Sequence, residues 1–113
     1  MHEMSLCEGV IQVIEEQASQ QGFERVLGVT LEIGALAGVE LDALRFCFEV
    51  VCRDTLAEGA ALHIRERAGR AHCFDCDRPV EVAQRFDACR ACGGYRLQVT
   101  AGEELKIQEL EVE

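Results

Sequence analysis

Four cysteines in the second half of the chain constrain its fold more than any other feature: Cys73 and Cys76 in "CFDC", and Cys89 and Cys92 in "CRAC". Each pair is C-x2-C, and the residues from Asp77 to Ala88 separate them. Two thiolates three positions apart grip one metal ion when the backbone turns tightly between them. Two such knuckles supply a closed tetrahedral shell, with Zn–S distances of about 2.3 Å. Gly93 and Gly94 suit the turn that follows the second knuckle. The stretch around the quartet, 68–102, is short of large apolar side chains, with Phe74, Phe86 and Tyr95 its only large aromatics. It cannot build an adequate core alone, so a metal has to supply folding energy. Four protein ligands leave zinc no open position, which makes the site structural rather than catalytic. An iron centre of rubredoxin type would use the same four thiolates. Two redox dithiols are a third reading, but such pairs follow a strand at a helix start, and this setting is absent.

The other three cysteines, Cys7, Cys47 and Cys52, bring the count to an odd seven in a chain without a basic, apolar leader. That argues against a disulfide framework. Cys7 and Cys47 fall on apolar helix stripes as small hydrophobes, with Cys52 off that face. The net charge is −10, from 11 basic and 21 acidic side chains. Such a balance repels phosphate backbones, so nucleic acid is not the expected partner; it suits cation capture or a basic protein. No apolar run is long enough to span a bilayer, and a cytoplasmic protein is expected. No Ser/His/Asp order, phosphate loop or open catalytic shell is visible, and the chain does not read as an enzyme.

Outside 68–102 the pattern is α/β. Ser5 and Glu8 form an S-x-x-E capping box ahead of Cys7, Val10, Ile11, Ile14 and Ala18, which predicts a helix from Leu6 to Gln21 stopped by Gly22. Leu27, Val29, Leu31 and Ile33 alternate with smaller or polar residues as a strand with one buried face. Leu41, Leu44, Phe48 and Val51 predict a second helix from Glu40 to Leu56, with Gly59 closing it. Leu62 and Ile64 mark a second strand. The C-terminal "ELKIQELEVE" reads as a third, its apolar phase shifting between Ile107 and Leu110 through a bulge or burial on both faces. The expected architecture is a small three-stranded sheet with two helices over 1–67 and 103–113. A zinc-ribbon-like four-cysteine module, 68–102, is inserted in it. That module carries Arg70, Arg78, Arg85, Arg90 and Arg96 against Asp75, Asp77, Glu81 and Asp87, so the acidity belongs to the remainder.

The first residues, "MHE", hold a second set of donors. Methionine is removed from nascent chains when residue 2 is small, and histidine is large, so Met1 is expected to stay. The Met1 amine, the His2 amide nitrogen and the His2 imidazole Nδ1 then close two fused rings around one metal ion. Glu3 adds an amide nitrogen and a carboxylate. Deprotonated amides impose a planar field that favours Ni(II) or Cu(II) over tetrahedral zinc. The bland reading is a mobile surface tail.

An initial M-H-E, a helix, a strand ending in "IG", a second helix, C-x2-C…C-x2-C and a closing "GEELKIQELEVE" together resemble the hydrogenase maturation nickel chaperones of the HypA/HybF family. The resemblance covers essentially the whole chain. It implies delivery of Ni(II) to the large subunit of NiFe hydrogenase, in company with the GTPase HypB; monomer and homodimer both stay open. It also implies nickel held by His2, with Met1 through its amine and Glu3 through backbone or carboxylate. Glu40 stands where other members have an acidic residue, often Asp, and the resemblance makes it a further candidate nickel ligand. Cys73, Cys76, Cys89 and Cys92 match the ligands of a structural Zn(II). A zinc-ribbon adaptor for protein or nucleic acid is the competing function.

Overall fold

A computed structural model describes residues 2–113. The elements run α1 (Glu3–Gln21), β1 (Val26–Gly34), α2 (Leu41–Cys52), β2 (Ala61–Arg67), β3 (Gly69–Cys73), β4 (Arg78–Val82), β5 (Leu97–Ala101) and β6 (Leu105–Val112). Two three-stranded sheets form, ordered β2-β1-β6 and β4-β3-β5. The mixed α/β class with two helices and small sheets is as the residue patterns predict. The chain divides into two compact units. One comprises the N-terminal segment through Leu31 with Val39–Ile64 and Ile107–Glu113; the other comprises Glu32–Gly38 and Arg65–Lys106.

In the first unit α1 begins earlier than the S-x-x-E signal predicts. Its N-cap is His2, with extended φ −90° and ψ 113°, and Leu6 N–H donates to His2 O. Ser5 lies inside the helix, and Glu3 is its first residue rather than part of a tail upstream. Glu3 and Met4 are good helix formers, and an acidic first residue complements the positive end of the helix dipole. The helix therefore grows back past the serine. Its C-terminal stop at Gly22 is as expected, with the Gly22 N–H returned to Ala18 O. The buried stripe is Cys7, Val10, Ile11 and Ile14.

α2 ends at Cys52, short of the expected Leu56. Thr55 competes for the last carbonyl: its hydroxyl donates to Cys52 O at 2.6 Å and accepts from Ala57 N–H at 3.1 Å. Side-chain bonds of this kind divert the backbone into a turn. Gly59 then lies in that turn rather than at a helix end. The buried stripe of α2 is Leu44, Phe48 and Cys52, so Cys52 belongs to the core and Cys47 only flanks it, reversing the expected roles. The periods are i, i+4 and i+8, which the stripe drawn through Cys47 and Val51 misses. In β1, Val29, Leu31 and Ile33 are buried as expected, but Leu27 is 44% exposed and Thr30 is buried. β1 is the central strand of its sheet, flanked by β2 and β6. Along β6, Leu105, Ile107 and Leu110 are the half-buried positions, so the shift of phase is real.

Two buried thiols give this core a pH limit. The Cys7 Sγ donates to Leu44 O at 3.6 Å. Burial, then the neighbouring Cys47, Cys52 and Glu3, push the Cys7 thiol from 9.0 up to about 12. Burial pushes Cys52 up to about 11. An unfolded thiol ionises near its ordinary value while these stay neutral. Their contribution is therefore complete below pH 9.0 and lost as pH rises through 11 to 12. The unfolding free energy from urea titrations above pH 9.0 should fall by about 1.4 kcal/mol per thiol for each further pH unit. Cys7→Ala should make that alkaline decline shallower. An equal slope in the variant would refute this origin.

The second unit is built on antiparallel pairing of β3 with both β4 and β5. Its core is Leu36, Ala71, Cys73, Val80, Val82 and Cys89, with Cys76, Leu97 and Val99 packed against it. Its three large aromatics contribute little to this core, with Phe74 54%, Tyr95 75% and Phe86 95% exposed. Half of what is buried here is small or is itself a cysteine of the quartet.

Candidate metal centres

The quartet sits where two tight turns face each other. Cys73 ends β3 and Cys76 lies in the turn before β4, closed by the Cys73–Arg78 strand pair. Cys89 and Cys92 lie in the loop between β4 and β5. The residue following each pair is left-handed: Asp77 at φ +55° and Gly93 at φ +76°. In the second knuckle backbone N–H groups point at sulfur. Ala91 N–H donates to Cys89 Sγ at 3.3 Å, and Gly94 N–H to Cys92 Sγ at 3.4 Å. The loop is closed by Gly93 N–H to Cys89 O and Cys89 N–H to Gly94 O.

All four sulfurs lie within 4.8 Å of one another. Cys73 and Cys92 are 3.7 Å apart, and Cys76 and Cys89 are 3.8 Å apart. A disulfide would need about 2.05 Å. A regular tetrahedron around zinc has S–S edges of about 3.8 Å for Zn–S bonds of about 2.3 Å. The residues fit a four-thiolate metal. Without one, the thiols divide protons unequally. Burial raises the Cys89 thiol, but the N–H groups of Cys92 and Ala91 and the neighbouring thiols outweigh it and bring it down to about 7. Cys76 is pushed up to about 12 by burial and by the other sulfurs. Four packed thiolates repel, and a divalent cation removes the conflict by neutralising half of their charge. Zinc in this shell would supply folding energy, with no position open for substrate.

Polar anchors around the knuckles carry no spacing signal in the sequence. Arg96 donates through Nε to Asp75 Oδ1 at 2.7 Å, holding the first turn to the strand after the second. A side chain at Gly94 would collide with that carboxylate, so glycine is required there by contact rather than by conformation. His72, beside Cys73, has its Nε2 3.0 Å from Asp77 Oδ1 and its ring edge-on against Phe74.

At the other set of predicted ligands, His2 is exposed and caps α1 without any side-chain cap bond. The first N–H groups of a helix have no intrahelical acceptor, so the amides of His2 and Glu3 are not consumed by α1. The Glu3 carboxylate accepts from Glu40 N–H at 3.3 Å. Glu40 is the N-cap of α2, accepting from Asp42 N–H at 3.3 Å and from Ala43 N–H. Glu3 and Glu40 are thus brought together, with His2 one residue away. The structure does not gather side-chain ligand atoms of His2, Glu3 and Glu40 within 4.8 Å; among the described residues only the quartet forms such a group. Met1 lies outside the described residues. Among the described residues no helix is long and apolar enough to cross a membrane.

A small mixed α/β protein with a four-thiolate centre is what these elements define. The whole-chain comparison is specific: the HypA family, described as hydrogenase/urease nickel incorporation and metallochaperone, matches residues 1–112. Hydrogenase maturation factor HypA of Azotobacter chroococcum is 61% identical over all 113 residues of both chains. That of Alkalilimnicola ehrlichii is 60% identical over the same full lengths. The solution structure of the Ni metallochaperone HypA from Helicobacter pylori superposes with a TM-score of 0.73 over 99% of this chain and 97% of that one, at 24% identity, and so shares the fold. The protein belongs to the HypA family of nickel metallochaperones for hydrogenase maturation.

Proposed function

We propose that this protein binds Ni(II) at its N-terminus and passes it to the large subunit of NiFe hydrogenase in the cytoplasm, working with the GTPase HypB and acting as a carrier rather than an enzyme. His2 supplies imidazole and amide nitrogen, Met1 its amine, and Glu3 an amide, with Glu40 as the acidic neighbour. Zn(II) in Cys73, Cys76, Cys89 and Cys92 holds the second unit. The observation that carries the reading is His2 at the exposed start of α1, uncapped by any side chain, with unconsumed amides behind it.

A bare dication is disfavoured at the positive end of a helix. Nickel bound by a deprotonated amide arrives with part of its charge balanced, so this location favours a nitrogen-donor mode and releases a proton on loading. An exposed site of few donors can also give its cargo up, which a closed thiolate cage does slowly. Net charge reinforces the choice of cargo: all of the −10 resides in the unit that bears His2, since the second unit balances its charges. Calorimetric titration of zinc-loaded protein should show one nickel equivalent, lost in His2→Ala with zinc retained. Unchanged nickel binding by that variant, together with DNA or RNA binding at moderate salt, would favour the zinc-ribbon adaptor.

A further inference from the structure

We infer that Glu3 and Glu40 are positioning residues which together complete a capping box between two helices, and that their carboxylates anchor the nickel site without entering it. In an ordinary capping box the N-cap side chain accepts from an N–H of the first turn. The N3 side chain reaches back to the N–H of the N-cap itself. In α2 the first half is present: the Glu40 carboxylate takes the N–H groups of Asp42 and Ala43, one oxygen each. The second half cannot come from within, because the N3 residue is Ala43. Glu3, from the first turn of α1, accepts the Glu40 N–H instead.

Three of the N–H groups that open α2 are therefore satisfied by two carboxylates, one of them borrowed from α1. Both Glu40 oxygens are committed, and so is one of Glu3. Taking either carboxylate to a metal would expose donors at the start of α2. The link also fixes the first residue of α1, and hence the backbone on which His2 is mounted, against α2. An N-cap of α1 with no side-chain bond of its own gains its order from this contact. The inference rests on nickel binding at His2, and it assigns the acidic residues there a different task from ligation.

The test compares amide and alanine replacements in zinc-loaded protein. Glu3→Gln keeps an oxygen able to accept the Glu40 N–H, and Glu40→Asn keeps a good cap, while both are poor nickel ligands. Nickel affinity by calorimetry should stay near the parent's in these two. It should weaken about tenfold in Glu3→Ala and Glu40→Ala, the scale of a lost cap. The d–d absorption band should keep one position throughout, because the donor set is unchanged. The amide shift of Glu40 should move in Glu3→Ala and stay in Glu3→Gln, and those of Asp42 and Ala43 should move further in Glu40→Ala than in Glu40→Asn. If Glu3→Gln or Glu40→Asn loses nickel as fully as alanine does, or shifts the band, the carboxylates are ligands and the inference fails. Failure of the nickel reading itself is read separately, from a His2→Ala protein that still binds nickel.

Discussion

Cys89→Ser will abolish amide protection across β3, β4 and β5 while α1 and α2 keep theirs. The second unit has about fifty residues, a size at which a single apolar core rarely suffices. Its buried aliphatic side chains larger than alanine are Leu36, Val80 and Val82, each contributing about 1.5–3 kcal/mol. Its aromatics face solvent. A structural zinc in a small thiolate module contributes about 10–16 kcal/mol, more than these three aliphatic side chains together. The helices have their own buried stripes, Cys7, Val10, Ile11 and Ile14 on one and Leu44, Phe48 and Cys52 on the other, and owe nothing to sulfur ligation. Hydrogen exchange followed by NMR, with and without a strong chelator, checks both halves. Protection of β3–β5 that survives metal removal would show that the apolar core is sufficient.

Acetylating the Met1 amine will cost nickel affinity as much as removing the imidazole does. Loss of a first-ring donor is at least as costly as loss of an outer partner, which is about 10–100-fold. The chemistry is directional. Histidine in second place gives an amine, one amide and an imidazole, with the fourth position left to Glu3 or water. Adding one glycine ahead of Met1 moves the imidazole to third place, where an amine, two amides and the imidazole close three fused rings. That extended protein should bind nickel more tightly and release it to a competing chelator more slowly than the parent. Equal affinities for the parent and the acetylated protein would show that the amine is not a donor.

Sequence alone reveals the quartet because ligation demands a fixed local spacing, and the structure closes those four sulfurs to within 4.8 Å. It reveals α1 and α2 because their stripes are periodic. It misplaces their ends, since helix termini are decided by competition among weak terms. The Ser5 box loses to Glu3 and Met4, and the Thr55 hydroxyl captures Cys52 O. The α2 stripe is drawn one step aside, beside Cys47 and through Val51 rather than through Cys52. The second sheet is not legible, since β3, β4 and β5 hold only five residues each and carry few large apolar side chains, Leu97 the largest. Least legible are contacts between distant residues, such as Asp75 with Arg96 and Glu3 with Glu40. They obey no spacing rule, and the second of these links α1 to α2 beside the candidate nickel ligands.

X-ray absorption at both metal edges of protein loaded with one zinc and one nickel tests the central claim, that donor type keeps two metals apart. Four sulfurs at about 2.3 Å are expected around zinc. Around nickel, nitrogen donors with imidazole scattering and no sulfur are expected. Sulfur in the nickel shell, or nickel displacing zinc from the four cysteines, would contradict that claim.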